Sequence, residues 1–228
     1  MINLNKLKKK DILWLFNHKC LTHHKRYLFD QGCYLKKYQQ KKEKILFYDI
    51  ETEDLKADYG IIFSWVIMDN DTKKMYHGLI NKKDYKGKKN RGKEDKRIVK
   101  EFIQTLRKLQ GDRIIGHYNK RFDNRFIRTR AVISRIKFPE FGELFTSDTW
   151  DILKQKFALS RNSLENSTLK LLGSTNKDHL SLEIKHGCLR AEKWALDYTL
   201  HHNIKDVIDT ERLWNSIQKY ANITDTSI

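Results

Sequence analysis

Three short runs rich in β-branched and aromatic residues follow one another in close succession: ILFYDI from Ile45, YGIIFSWVIMD at 59–69 and KKMYHGLI at 73–80. Each is too short for a buried helix and is bounded by lysines, acids or turn-forming residues, which is the pattern of strands in a sheet. Only DNDT separates the second from the third, so these predict an antiparallel meander. Beyond residue 97 the period changes. Ile98, Val99, Phe102, Ile103, Leu106 and Leu109 share one helical face, and Gly111 is placed to end that helix. RIIGHYN then reads as a strand, FDNRFIRTRAVISRI as a helix, ELFTSDTW beyond Pro139 as a strand, and the stretch from about Ala191 to Tyr220 as a long amphipathic helix. Strands first, then helices alternating with strands, predict a mixed α/β sheet with helices packed on it.

Charge narrows the partner. The 228 residues carry 46 Lys and Arg against 29 Asp and Glu, a formal net charge of +17. A field of that size concentrates polyanions, so nucleic acid is the first partner to expect. Twelve of the basic residues, against three acids, fall in residues 1–44. The expected organisation is therefore a basic N-terminal appendage over 1–43 and one main domain over 44–228. No apolar run approaches the roughly 18 residues of a membrane-spanning helix. The opening MINLNKLKKKDILWLF lacks the form of a secretory signal, so a cytoplasmic protein is expected. Cys20, Cys33 and Cys188 are too few and too odd in number for a disulfide framework.

The chemistry-bearing pattern begins with Asp49 and Glu51. Side chains two apart on a strand share a face, so both carboxylates project together from the end of an apolar element. Held side by side they repel, and a divalent cation resolves the conflict; oxygen-only ligands suit Mg²⁺ or Mn²⁺. Asp123 follows Asn119 by four residues where a strand passes into a helix. Asp206 lies on the last helix with His202 four residues before it and His201 five before it. At about 100° per residue, His202 falls within about 40° of Asp206 and His201 about 140° away, which favours His202 as its partner and keeps His201 as the alternative.

Together these motifs resemble the DEDD superfamily of metal-dependent 3′–5′ exonucleases, whose fold is RNase H-like, over residues 44–220. Asp49 and Glu51 meet its D-x-E motif, Asn119 with Asp123 its second motif, and His201 or His202 with Asp206 its third. NKRFDNRFIRTRA looks like the corresponding segment of family B DNA polymerase proofreading domains, and SDTWDILKQKFALSRNSLENSTLKLLG like the connector of stand-alone prokaryotic and phage exonucleases. The resemblance implies two Mg²⁺ or Mn²⁺ ions held by Asp49, Glu51, Asp123 and Asp206, with a histidine as general base. It implies hydrolysis of DNA from a 3′ end to nucleoside 5′-monophosphates, with RNA, a structure-selective cut or non-catalytic nucleic-acid binding as the alternatives. It also puts Thr52, Leu55, Tyr118 and Asn119 near substrate.

Other basic residues offer sequence-independent phosphate contacts: the loop 82–97, with nine basic residues, and Arg121, Arg125, Arg128 and Arg130. In the appendage, HKCLTHHKRYLFDQGC gathers Cys20, His23, His24 and Cys33. Cys20, His23 and Cys33 are candidate ligands for a structural Zn²⁺, a way for a small basic segment to keep a shape. Trp14, Phe16, Tyr27 and Tyr34 are candidates for stacking on bases or for packing the appendage on the main domain.

Overall fold

A computed structural model describes residues 7, 9–20, 22–38, 43–86, 92–176, 178–221 and 226–227. The parts of the basic linker and of the 82–97 loop at 39–42 and 87–91 lie outside the described residues. Two helices open the chain, α1 (Lys9–Asn17) and α2 (Gln31–Tyr38). The sheet follows as β1 (Ile45–Thr52), β2 (Ile62–Asp69), β3 (Met75–Leu79), β4 (Arg113–Gly116), β5 (Phe145–Asp148) and the two-residue β6 (Thr226–Ser227). Its order is β3-β2-β1-β4-β5-β6: the meander is antiparallel, β1, β4 and β5 run parallel, and β6 closes antiparallel on β5. Helix α3 (Lys96–Leu109) connects β3 to β4 and α4 (Asp123–Ile133) connects β4 to β5. After β5 come α5 (Thr149–Lys156), α6 (Leu164–Leu172), α7 (Leu182–Leu189) and α8 (Lys193–Ile217).

The alternation of β1 decides which side chains meet which layer. Leu46, Tyr48 and Ile50 enter the larger core with Ile98, Phe102 and Leu106 of α3 and Phe126 and Ile127 of α4. Phe47 points the other way, into a cluster with Val66, Ile115 and, from α8, Val207 and Trp214. Asp49 and Glu51 continue that second face, so the strand delivers its two acids beneath α8. The pairing of β1 with β2 shifts register between Glu51 and Thr52, a bulge that re-aims the strand where the acids sit.

One predicted stop differs. Helix α3 ends not on Gly111 but on Gln110, which takes the left-handed conformation (φ 51°) and donates its N–H to the carbonyls of Leu106 and Arg107. Gly111 serves packing instead, since a Cβ there would lie 2.5 Å from Leu46 Cδ1. The hydrophobic period marks where a helix stops burying residues; it does not say which of two neighbours bears the cap.

The N-terminal segment has its own small cluster, with Leu15, Cys20 and Tyr27 buried. It also docks beside the start of β5. The His18 ring stacks between Trp14 (centroids 3.7 Å apart) and Phe145 of β5 (3.8 Å). His24 hydrogen-bonds the buried carboxylate of Glu143. Gly142, at φ 84°, lets the two backbones close: a Cβ there would lie 2.6 Å from the Asn17 carbonyl oxygen.

Candidate active site

Helix α8 supplies the half of the site that β1 lacks. His202 and Asp206 are one turn apart on its buried face, and Asn203 ties the helix to β2 by donating from Nδ2 to Ser64 Oγ at 3.0 Å. That register sets His202 Nε2 3.3 Å from Glu51 Oε1 and 3.7 Å from Asp206 Oδ2. Donor atoms of Glu51, His202 and Asp206 all lie within 4.8 Å of one another. His201 faces solvent. Of the two histidines, only His202 reaches the acids.

A buried imidazole ordinarily loses basicity. Here burial is outweighed by the hydrogen bond and charge of Glu51, the charge of Asp206 and the hydrogen bond to Asp178, and the His202 pKa is raised to about 8. Its Nδ1 lies 2.7 Å from Asp178 Oδ1, so Nδ1 carries the proton donated to that carboxylate and Nε2 is left to face Glu51 and Asp206. Asp178 also pairs with Lys205 at 2.7 Å, and its own pKa falls to about 2 although burial opposes this, because Lys205 and His202 both hydrogen-bond it.

Asp178 reaches this position because the preceding loop is pinned to α8. Buried Asp209 accepts from Asn176 N and from Thr175 Oγ1, and also from Asn176 Nδ2 at 2.7 Å. Neither Asp178 nor Asp209 stood out in the sequence. Asp178 is a single acid in a segment without period and Asp209 one of several acids on α8, and the contact of each with its partners is tertiary.

Asp123 opens α4, and its Oδ1 accepts from Ile50 N at 3.3 Å, which sets it beside the end of β1. Burial raises its pKa to about 7, helped by the charges of Asp148 and Glu51 and opposed by backbone hydrogen bonds. Asp49 is half-buried on the same strand face as Glu51, opposite Val66 of β2. It is one side-chain repeat from Glu51, about 7 Å along the strand. Asp49 and Asp123 are not in the group of donors that Glu51, His202 and Asp206 form. The oxygen-rich donor set on one sheet end, with an acid whose charge is penalised by its neighbours, suits a hard divalent cation.

A model of the RNase_H superfamily matches residues 46–175, more than half of the chain. The chain belongs to the RNase H superfamily. Among solved structures, this RNase H-like chain is similar to the family B DNA polymerase from the hyperthermophilic archaeon Pyrobaculum calidifontis, with a TM-score of 0.61 and 14% identity over 78% of this chain and 25% of that one. It thus spans about a quarter of that polymerase, and at such identity the likeness speaks for the fold. No curated protein matches in sequence. The RNase H-like mixed sheet expected from strand order is the one found. RNase H-like nucleases generally use divalent metals and act on nucleic acid, and the acidic group here is of that kind. No described helix is long and apolar enough to cross a membrane.

Several residues expected to touch substrate have other work in this RNase H-like fold. Asn119 is fully buried and donates from Nδ2 to Thr146 Oγ1 at 3.0 Å, so it shapes the turn after β4 rather than facing solvent. Thr52 is also buried, its hydroxyl donating to the Asp54 carbonyl. Leu55 and Tyr118 are exposed. Leu55 lines a cleft of about 210 Å³ with Phe122, Arg121 and Arg125. Tyr118 adopts a left-handed φ of 64°, held by Asp148, whose carboxylate accepts from Tyr118 N and Lys120 N. Asp148 was not singled out in the sequence, though an acid at a strand end before a helix is an N-cap signal, and it does cap Trp150 N.

Among the candidate phosphate-binding arginines, Arg125 and Arg128 are exposed, and Arg121 pairs with Asp151 over the Trp150 ring. Arg130 is a correction: it is wholly buried against Asp95 and out of reach of any phosphate.

Proposed function

We propose that this chain is a metal-dependent 3′–5′ exonuclease that shortens DNA and releases nucleoside 5′-monophosphates. The observation that carries the reading is the meeting of Glu51, His202 and Asp206, from the first strand and last long helix, within 4.8 Å. Glu51 and Asp206 would hold one Mg²⁺ or Mn²⁺ and Asp123 a second, with Asp49 contributing to both. Two such ions supply the activation of a water and the neutralisation of charge on the scissile phosphate. His202 Nε2 would take the proton of the attacking water once cations hold Glu51 and Asp206, the acids whose charge otherwise keeps the ring protonated, while Asp178 keeps the other nitrogen occupied. Leu55 and Tyr118, both exposed, would contact the terminal nucleotide, while the exposed Arg125 and Arg128 and the wider positive field would hold the phosphate backbone. The family B polymerase likeness favours DNA over RNA.

The test is a time course on 3′- and 5′-labelled DNA and RNA, single- and double-stranded, with Mg²⁺, Mn²⁺ or EDTA. Stepwise loss from the 3′ end that stops in EDTA is expected. Undiminished cleavage in EDTA, or in Asp49→Ala, would dismiss the mechanism.

Asp178 acts through His202 and is a positioning residue. Asp178→Ala is expected to lower kcat by about 10–100-fold, the usual cost of removing a group that orients a functional histidine, with KM little changed. Asp178→Asn, whose side-chain oxygen still accepts from Nδ1, should recover most of that loss. Equal loss in both variants would show that Asp178 merely supports the fold.

A further inference from the structure

The N-terminal segment carries a second cluster of donors that the nuclease reading does not use. Lys19 and Arg26 pair as an antiparallel bridge, and inside it Cys20 N donates to Lys25 O at 2.9 Å while His24 N donates to Cys20 O at 2.8 Å. His24 closes this turn in the left-handed conformation, φ 58°. The turn aims Cys20 Sγ and His23 Nδ1 at one another across 3.9 Å. Thirteen residues after Cys20, the first turn of α2 brings Cys33 Sγ to 2.9 Å from Cys20 Sγ, with neither sulfur in a disulfide. All three donor atoms lie within 4.8 Å of one another.

Hydrophobic packing alone does not account for this convergence. Among the described residues, the fully buried members of the segment's cluster are Leu15, Cys20 and Tyr27, a small core in which one member is itself a donor. Segments with so little core are commonly held by a metal. Two cysteines and a histidine from a tight turn and a helix start are also the ligand types of a tetrahedral site, with sulfur and nitrogen that a soft cation prefers and Mg²⁺ does not, and bonds near 2.3 Å would part the two sulfurs from 2.9 Å to about 3.7 Å. A fourth donor is at hand. Asp30 Oδ2 lies 3.3 Å from His23 Nδ1, close to the roughly 3.3 Å edge of a tetrahedron with bonds near 2.0 Å. Its other oxygen accepts from Cys33 N at 3.2 Å, fixing the carboxylate beside the cluster.

We propose that Cys20, His23 and Cys33 bind a structural zinc ion, with the Asp30 carboxylate turning in as the fourth ligand. The ion displaces the thiol protons of the two cysteines on binding. It joins the Cys20 turn to α2. The turn is in turn fastened to the main domain through His24 with Glu143 and through Lys19 N with Gly142 O. The zinc therefore fixes the appendage beside the start of β5, remote in sequence and in ligand chemistry from the carboxylate site.

The test measures metal in the full chain, purified reduced and passed through metal-free buffer. One zinc per chain is expected. Replacement by Co²⁺ should give the near-ultraviolet thiolate-to-cobalt charge-transfer absorption that a carboxylate site cannot produce. Glu51→Gln should keep both signals, and Cys20→Ser with Cys33→Ser should lose both. If that double variant fails to fold, two measurements stand in its place. His23→Ala should lower zinc affinity by more than the about 10–100-fold that loss of an outer-sphere partner costs. Thiol modification of the wild-type chain should release its zinc. Absence of zinc and of the charge-transfer band from the reduced protein would overturn the assignment. Zinc retained after both cysteines are replaced, or a Cys20–Cys33 disulfide in protein kept reduced, would do the same.

Discussion

His202→Ala lowers phosphodiester hydrolysis by about two to four orders of magnitude, the range for loss of a general base, while His201→Ala stays within a few-fold of the parent. The two residues are adjacent and chemically identical, so the comparison isolates geometry. His202 is 4% exposed, whereas His201 faces solvent one residue earlier. Only the former has a nitrogen within 3.3 Å of Glu51. Its other nitrogen is already committed to Asp178, so the proton-accepting role falls on the atom that faces the acids. The effect belongs in kcat, with KM nearly unchanged, because His202 lies among the carboxylates rather than along the exposed basic surface. Single-turnover hydrolysis of a 3′-labelled oligonucleotide measures it, with circular dichroism confirming that the variant folds. Near-parental turnover by His202→Ala would remove the base from the mechanism, and a loss confined to His201→Ala would mean that α8 rotates in the working enzyme.

Some of this was legible in the order of residues. An apolar strand ending in D-x-E announces itself because the physics is local: alternation fixes which face the acids share, and β1 delivers them as expected. The His202–Asp206 relation is equally local, since helical periodicity fixes neighbours four apart, and α8 is continuous through both. Asp178, Asp209 and Asp148 were not legible. Each acts across a tertiary contact, on His202, on the 175–176 loop and on the Tyr118 turn, and an acid in a loop like Asp178, on a helix like Asp209 or at a strand end like Asp148 carries no mark of its distant partner. The error over Arg130 has the same root. Arg121, Arg125, Arg128 and Arg130 fall within ten residues, and charge alone makes all four candidate phosphate contacts. Yet α4 is packed on one side, so the periodicity that exposes Arg125 and Arg128 turns Arg130 inward.

That inward turn makes Arg130 the residue on which the frame around the site depends. Its Nε donates to Asp95 Oδ2 at 2.8 Å and its Nη2 to Asp95 Oδ1 at 2.7 Å, a two-pronged pair with both side chains at 0% exposure. The remaining donors reach the carbonyls of Gly92 at 2.7 Å and Ala57 at 3.2 Å, while Asp95 Oδ2 also accepts from Ile62 N at 3.0 Å. One ion pair thus joins α4, the entry to α3, the first residue of β2 and the loop after β1. Removing one member leaves a buried, uncompensated charge, which costs about 3–5 kcal/mol. Arg130→Met should therefore lower the unfolding free energy by that amount in urea titrations. Asp95→Asn in the same background should recover part of that loss, because it removes the carboxylate that Arg130→Met leaves without its cation. Asp123 begins the helix that Arg130 anchors, so a chain that survives Arg130→Met should also lose nuclease turnover, although no phosphate can touch this arginine. A stability loss below about 1 kcal/mol, the range of exposed pairs, would show that α4 is held by its apolar face alone.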